Sequence, residues 1–272
     1  MLSAEGVSKH FSGLAALQGV DMEISSGELV GLVGPNGSGK STLLNALSGF
    51  IRPDAGIVTF HGERIERRRP WDIAKRGLQR TFQLPAQPQR MTVLEVMLTG
   101  ADLPRGASLT QSLLRPRRVR AEQGEAIERA RMLLDELTLL ELEHHAAGSL
   151  SGGQQKLLAL GVALMSDPDL LLLDEPTAGV NRSLRRALMA RLRAVNEAGT
   201  ALMVVEHDIG FVAELCSRVY VLDKGEVLTS CEPSELAGDP RVVEAYLGTR
   251  KHRPSPAPAP PGAAREPGKV PS

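Results

Sequence analysis

GPNGSGKST, residues Gly34 to Thr42, follows the apolar run GELVGLV (Gly27 to Val33) and precedes Leu43, Leu44 and Leu47 at helical spacing. The order is buried strand, glycine-rich loop, helix, with Gly49 as a helix end. Gly34, Gly39, Lys40 and Ser41 fill the fixed places of G-x-x-x-x-G-K-S, and Pro35, Asn36, Gly37 and Ser38 lie between them. Glycine lets successive backbone N–H groups converge on one anion, and the positive end of the following helix dipole adds to the attraction. In this pattern Lys40 reaches the β- and γ-phosphates, and the Ser41 hydroxyl sits on Mg²⁺. The stretch predicts a nucleoside triphosphate site.

Further along, LLLLDE (Leu170 to Glu175) is a continuous apolar run ending in two carboxylates. Such a run reads as a parallel strand buried on both faces, with its acids at the crevice where open α/β sheets bind ligands. Asp174 is expected to hold Mg²⁺, directly or through water. Glu175, beside the γ-phosphate position, can take a proton from the attacking water. Immediately upstream, LSGGQ (Leu150 to Gln154) starts another helix. Ser151 and Gln154 have capping-box spacing. A capping box needs neither Gly152 nor Gly153, and the two glycines bare further N–H groups. They suggest a second anion site about 110 residues from the first, too far for one nucleotide to use both easily within one chain.

The 272 residues suffice for one large α/β domain, or for one core with a smaller lobe. Lys plus Arg and Asp plus Glu are 32 each, so no general pull on nucleic acid is evident. The basic runs Arg67 to Arg69 and Arg115 to Arg120 lack interleaved aromatics and read as solvated surface. Cys216 and Cys231 are too few for a disulfide framework and read as thiols in a reducing cytosol. With no signal peptide and no stretch near the roughly 20 apolar residues of a spanning helix, a cytosolic location is expected, any membrane role coming through a partner.

GVSKHF, VDMEI, ELVGLV and GIVTFHGERI read as strands in the first third. Between Gln83 and Leu150, TVLEVMLTG and RAEQGEAIERARMLLDELTLLELEHH read as helices of an inserted lobe. From Leu170 the α/β alternation resumes, with Asp223-Lys224-Gly225 as a hairpin turn. A short helix is expected at PRVVEAYLG, and the Pro/Ala-rich residues 249–272 are expected to be a disordered tail.

The glycine-rich loop, LSGGQ and LLLLDE, in this order, resemble the nucleotide-binding subunit of ABC transporters over about residues 1–248. The resemblance implies an α/β fold: a P-loop NTPase core with an antiparallel β subdomain and a helical subdomain inserted at about 84–150. It implies ATP and Mg²⁺, and a second ATPase subunit packed head to tail, so that Ser151, Gly152, Gly153 and Gln154 of one subunit close over the phosphate held by the other. Residue by residue, Gln83 in RTFQ matches the glutamine that meets Mg²⁺, and His207 in VVEH the histidine that contacts the γ-phosphate. Phe11 matches the aromatic that stacks on adenine. Asn181 stands where many relatives carry Asp, which puts the usual role of that position in doubt.

LQRTFQ, RMTVLEVML, DEPTAGVN and GDPRVVEAYLG are together similar to the branched-chain amino-acid importers, and the glutamine in RTFQ fits the LivG type. That implies membrane permease subunits as partners, a periplasmic or lipid-anchored binding protein acting indirectly, and a place at the cytoplasmic face of the membrane. Urea or amide importers are built from the same parts. Outside transport, a soluble ABC ATPase would be expected to carry two such domains, a coiled coil or zinc cysteines. A non-hydrolysing regulatory subunit would be expected to lack Glu175 or His207.

Overall fold

The computed structural model describes residues 1–81, 90–101, 116–236 and 238–248. Gln83 and the tail 249–272 lie outside the described residues.

The β-rich first third forms the whole of one sheet. β1 (Leu2–Phe11), β2 (Leu14–Ile24), β4 (Ala55–Phe60) and β5 (Glu63–Arg64) make a four-stranded antiparallel sheet in the order β2-β1-β4-β5. The apolar runs build a second sheet of six strands. These are β3 (Leu29–Val33), β6 (Leu78–Arg80), β7 (Leu170–Asp174), β8 (Ala201–Val205), β9 (Arg218–Asp223) and β10 (Glu226–Cys231), in the order β10-β9-β3-β8-β7-β6. Only β10 runs antiparallel to its neighbour, returning from β9 through Lys224 and Gly225, both at positive φ.

Side-chain alternation along the parallel strands separates two cores. Val30, Leu32, Leu170, Leu172 and Met203 pack with Leu43, Leu44 and Leu47 of α1 (Lys40–Leu47) and with the inner face of the antiparallel sheet. Val33, Leu171, Leu173, Leu202 and Val204 face the other way. They pack toward α3 (Val93–Leu98), α4 (Pro116–Glu136), α5 (Gly152–Leu164), α6 (Arg182–Glu197) and α7 (Ile209–Leu215). The short α2 (Pro70–Ala74) leads into β6, and α8 (Pro240–Gly248) follows β10.

Two sequence expectations change. GIVTFHGERI is not one strand: His61 (φ 51°) and Gly62 (φ 77°) turn the chain so that Arg64 pairs with Thr59. Two successive positive-φ residues make the turn that suits strand twist, a signal that a histidine in the first place hides. The long helix expected to run on to His145 ends at Glu136. Thr138 adopts φ 58°, and Leu139 N–H closes back on the Leu134 carbonyl at 2.7 Å, which brings Leu139 into the core.

The register sets the site. Leu32 of β3 and Asp174 of β7 both pair with Val205 of β8. Gly34, Glu175 and His207 therefore leave the sheet at one edge, the carboxyl end of three adjacent parallel strands.

Candidate active site

The loop after β3 is shaped by close approaches. A Cβ on Gly34 would lie 2.0 Å from the Leu222 carbonyl oxygen, and one on Gly39 2.5 Å from that of Ala16. Gly39 also caps α1 in the left-handed region, at φ 106°. The β9–β10 turn braces the loop: Gly225 N–H donates to the Ser38 carbonyl at 2.9 Å, and Gln18 N–H to the Gly225 carbonyl at 2.8 Å. Lys40, first residue of α1, is buried, and its Nζ donates to the carbonyls of Gly34 (2.8 Å) and Pro35 (2.9 Å). Burial pulls the Lys40 ammonium below the ordinary lysine range, with the charges of Glu175 and Asp174 acting against it.

A cleft of about 640 Å³ opens over this loop. Asn36, Gly37, Ser38, Gly39, Lys40, Ser41 and Thr42 line it, together with Phe11 and Glu175. Phe11 is 43 % exposed, and the Lys9 ammonium lies 5.5 Å from its ring centroid. Pro35 is buried beneath the loop.

Asp174 and Glu175 part at the end of β7. Asp174 Oδ2 accepts from Arg80 Nη2 at 2.9 Å in a nearly buried ion pair. Glu175 has φ 46°, and its N–H donates to the Val205 carbonyl at 2.9 Å. Its own carbonyl accepts from Lys156 Nζ of α5 at 2.6 Å. Burial lowers the Lys156 pKa, and the acids Glu206, Glu175 and Asp174 oppose that. A left-handed backbone at a non-glycine residue, held by bonds on both sides, fixes where the carboxylate leaves the chain. A second cleft, of about 340 Å³, joins Asp174 and Glu175 to Lys156 and Gly152.

The expected anion site at LSGGQ stands apart from the Lys40 cleft, whose lining includes none of Ser151, Gly152, Gly153 and Gln154. The capping box is formed: Ser151 Oγ accepts from Gln154 N–H, and Gln154 Oε1 from Ser151 N–H. The two glycines differ. A Cβ on Gly153 would sit 2.2 Å from Leu184 Cδ2 of α6, whereas one on Gly152 would meet nothing within 4 Å. Asn181 caps α6, its Oδ1 accepting from Leu184 N–H at 2.9 Å.

His207 is exposed just past β8, at the same sheet edge but outside the lining of the Lys40 cleft. Reading the sequence did not single out its neighbours. Glu206 is wholly buried and accepts from the N–H and hydroxyl of Thr177 at 2.7 and 2.6 Å. Asp208 caps α7 and pairs with Arg185 of α6. Arg80, Lys156 and Glu206 all adjoin recognised motifs, but their partners are distant in sequence, and spacing carries no signal for such pairs.

The model of the family described as ABC transporter matches residues 17–178. The chain is 37 % identical, over 92 % of its length and 96 % of the relative's, to a probable branched-chain amino acid transport ATP-binding protein LivG of Archaeoglobus fulgidus. It is 35 % identical to the high-affinity LivG protein of Escherichia coli K12, over 91 % of this chain and 98 % of that one. Among solved structures, it resembles the ADP conformation of an ATP-binding cassette of an ABC transporter, at 35 % identity and TM-score 0.80 over 91 % of this chain and 98 % of that one. A dimeric cassette in a post-hydrolysis state bound to ADP and Pi is 28 % identical, with TM-score 0.72 over 86 % of this chain and 99 % of that one.

Proposed function

The chain belongs to the ABC transporter family, as an ATP-binding subunit that hydrolyses ATP, and on that premise we propose that it powers import of branched-chain or similar hydrophobic amino acids. The observation that carries the chemistry is the single cleft in which the Lys40 loop faces Glu175. The loop amides, Lys40 and the start of α1 supply a positive cradle for the β- and γ-phosphates. Phe11 offers its face to the adenine. Glu175 accepts the proton of the attacking water, and His207 contacts the γ-phosphate.

The Ser41 hydroxyl and the Asp174 carboxylate are hard oxygen donors of the kind Mg²⁺ takes, with Gln83 proposed as a third contact. Mg²⁺ there would offset phosphate charge.

Residues 1–248 form the ATPase unit in this reading, with the helical subdomain at about 84–150. The separation of Gly152 from the Lys40 cleft, and the open space over that glycine, support a phosphate shared head to tail with a second ATPase subunit. The permease subunits are proposed to dock at a cleft of about 510 Å³ lined by Trp71, Gly100 and Val162 among others. No helix among the described residues is long and apolar enough to cross a membrane. Attachment at the cytoplasmic face is therefore assigned to the permease.

Glu175→Gln tests the chemistry. Loss of a general base lowers turnover about 10²–10⁴-fold while ATP binding, read by calorimetry, persists. Lys40→Ala instead loses binding. Undiminished hydrolysis by Glu175→Gln would remove that residue from the reaction.

A further inference from the structure

Glu206 is a charged side chain that the hydrolytic reading leaves unused. It is 0 % exposed, at the end of the central strand β8. Its Oε1 takes both Thr177 donors, which pins the segment just after Glu175 to β8. Its Oε2 is buried and has no hydrogen-bond partner among the described residues. His207 Nδ1 lies 3.7 Å from that oxygen.

Tying down Thr177 needs one acceptor atom, which a neutral glutamine would supply at a smaller desolvation cost. The second oxygen is costly to leave unpaired in a buried site. A carboxylate only accepts, so the complementary partner is an N–H, and the ring nitrogen of His207, at 3.7 Å, needs to close by about 0.5 Å or more to provide it.

We propose that Glu206 is a positioning residue for His207: its Oε2 accepts the Nδ1–H bond and turns Nε2 toward the nucleotide cleft. The hydrogen bond made by one ring nitrogen sets the tautomer and direction of the other. The inference rests on the reading of His207 as the γ-phosphate contact. It adds a second use for the tie between Thr177 and β8, since one carboxylate then registers both the segment bearing the base and the histidine.

The test is the ¹⁵N spectrum of full-length chain labelled at histidine, recorded at about pH 8, where an ordinary imidazole is neutral. Loss of one signal in His207→Gln assigns it. Wild type is expected to carry its proton on Nδ1. In Glu206→Gln the amide oxygen keeps the Thr177 bonds and the NH₂ group faces the ring, so the proton moves to Nε2. The same variant should lose about 10–100-fold in kcat, by analogy with the loss of a carboxylate that orients a metal-binding histidine, with KM unchanged. A wild-type His207 protonated on Nε2 overturns the proposal. So does a Glu206→Gln chain with wild-type tautomer and kcat, which would leave Glu206 as a staple for Thr177 alone. The wild-type spectrum needs no variant to fold. A wild-type chain without ATPase activity would count against the hydrolytic reading, while the spectrum would still decide the Glu206–His207 bond.

Discussion

Arg80→Met should destabilise the chain by about 3 kcal/mol, and Mg²⁺ with ATP should restore much of the loss. Arg80 and Asp174 have side chains only 8 % and 14 % exposed, with nitrogen and oxygen 2.9 Å apart. Arg80 also donates to Asn45 Oδ1 at 2.6 Å and so ties α1 to β6 and β7. Removing one partner of a buried pair costs about 3–5 kcal/mol, because the other charge stays desolvated and unmatched. The residual exposure of Asp174 puts the cost at the low end. Methionine keeps the apolar stem, so lost packing adds little. At roughly 2 °C per kcal/mol for a domain of this size, the melting temperature should fall about 6 °C in metal-free buffer. A double-mutant cycle with Asp174→Asn, read by urea denaturation, should give a coupling energy above about 1 kcal/mol. Mg²⁺ with ATP should then raise the melting temperature of Arg80→Met more than that of wild type, since the cation replaces the charge the arginine supplied. The gap closes only by the difference in binding: Mg²⁺ with ATP bound about 100-fold more tightly by Arg80→Met than by wild type would recover roughly 2.7 kcal/mol. Additivity within about 0.5 kcal/mol, or a gap that widens with Mg²⁺ and ATP, would refute the reasoning.

The glycines of α5 should separate fold from assembly. Gly153→Ala forces Leu184 aside, an overpacking that costs about 1–3 kcal/mol, partly offset by alanine's helix propensity, and should lower the melting temperature. Gly152→Ala meets open space within the chain, so it should melt like wild type yet lose hydrolysis if a partner's phosphate must approach its N–H closely, because the added Cβ stands in the way; full ATPase activity would sink that role. Asp208 caps α7, and its hydrogen bond from Arg185 holds its carboxyl below the usual range against the opposing effect of burial. Its stabilisation is therefore complete above the unfolded carboxylate value of about 3.9 and is lost as pH falls through the lower folded value. Asp208→Ala should cost about 1 kcal/mol near neutrality, and chemical denaturation should show that difference shrinking below about pH 4.

What could be read from the sequence was what is local. Residues 34 to 42 carry their structure in nine consecutive positions, and the acids after the Leu170 run are placed by one strand. The turn at Asp223-Lys224-Gly225 was legible for the same reason, though not that Gly225 would brace Ser38. Contacts across the fold left no periodic trace. Lys156 bonds the Glu175 carbonyl, Arg80 bonds Asp174, and Glu206 is buried against Thr177. A glutamate between a strand and an exposed histidine has the pattern of a solvated residue. Only the placement of the Thr177 segment against β8 shows otherwise.

At LSGGQ the two sequence readings, helix cap and anion site, are compatible once donors are followed one by one. The capping box uses the N–H groups of Ser151 and Gln154. No side chain among the described residues caps the N–H groups of Gly152 and Gly153, which belong to the orphan donors of a first helical turn. Gly153 is glycine because Leu184 packs over it, whereas Gly152 is exposed with clear space above it. The box thus fixes the direction of the helix start without consuming its electropositive end. An anion could approach Gly152 from outside the chain, as a phosphate held on the Lys40 loop of a second subunit would.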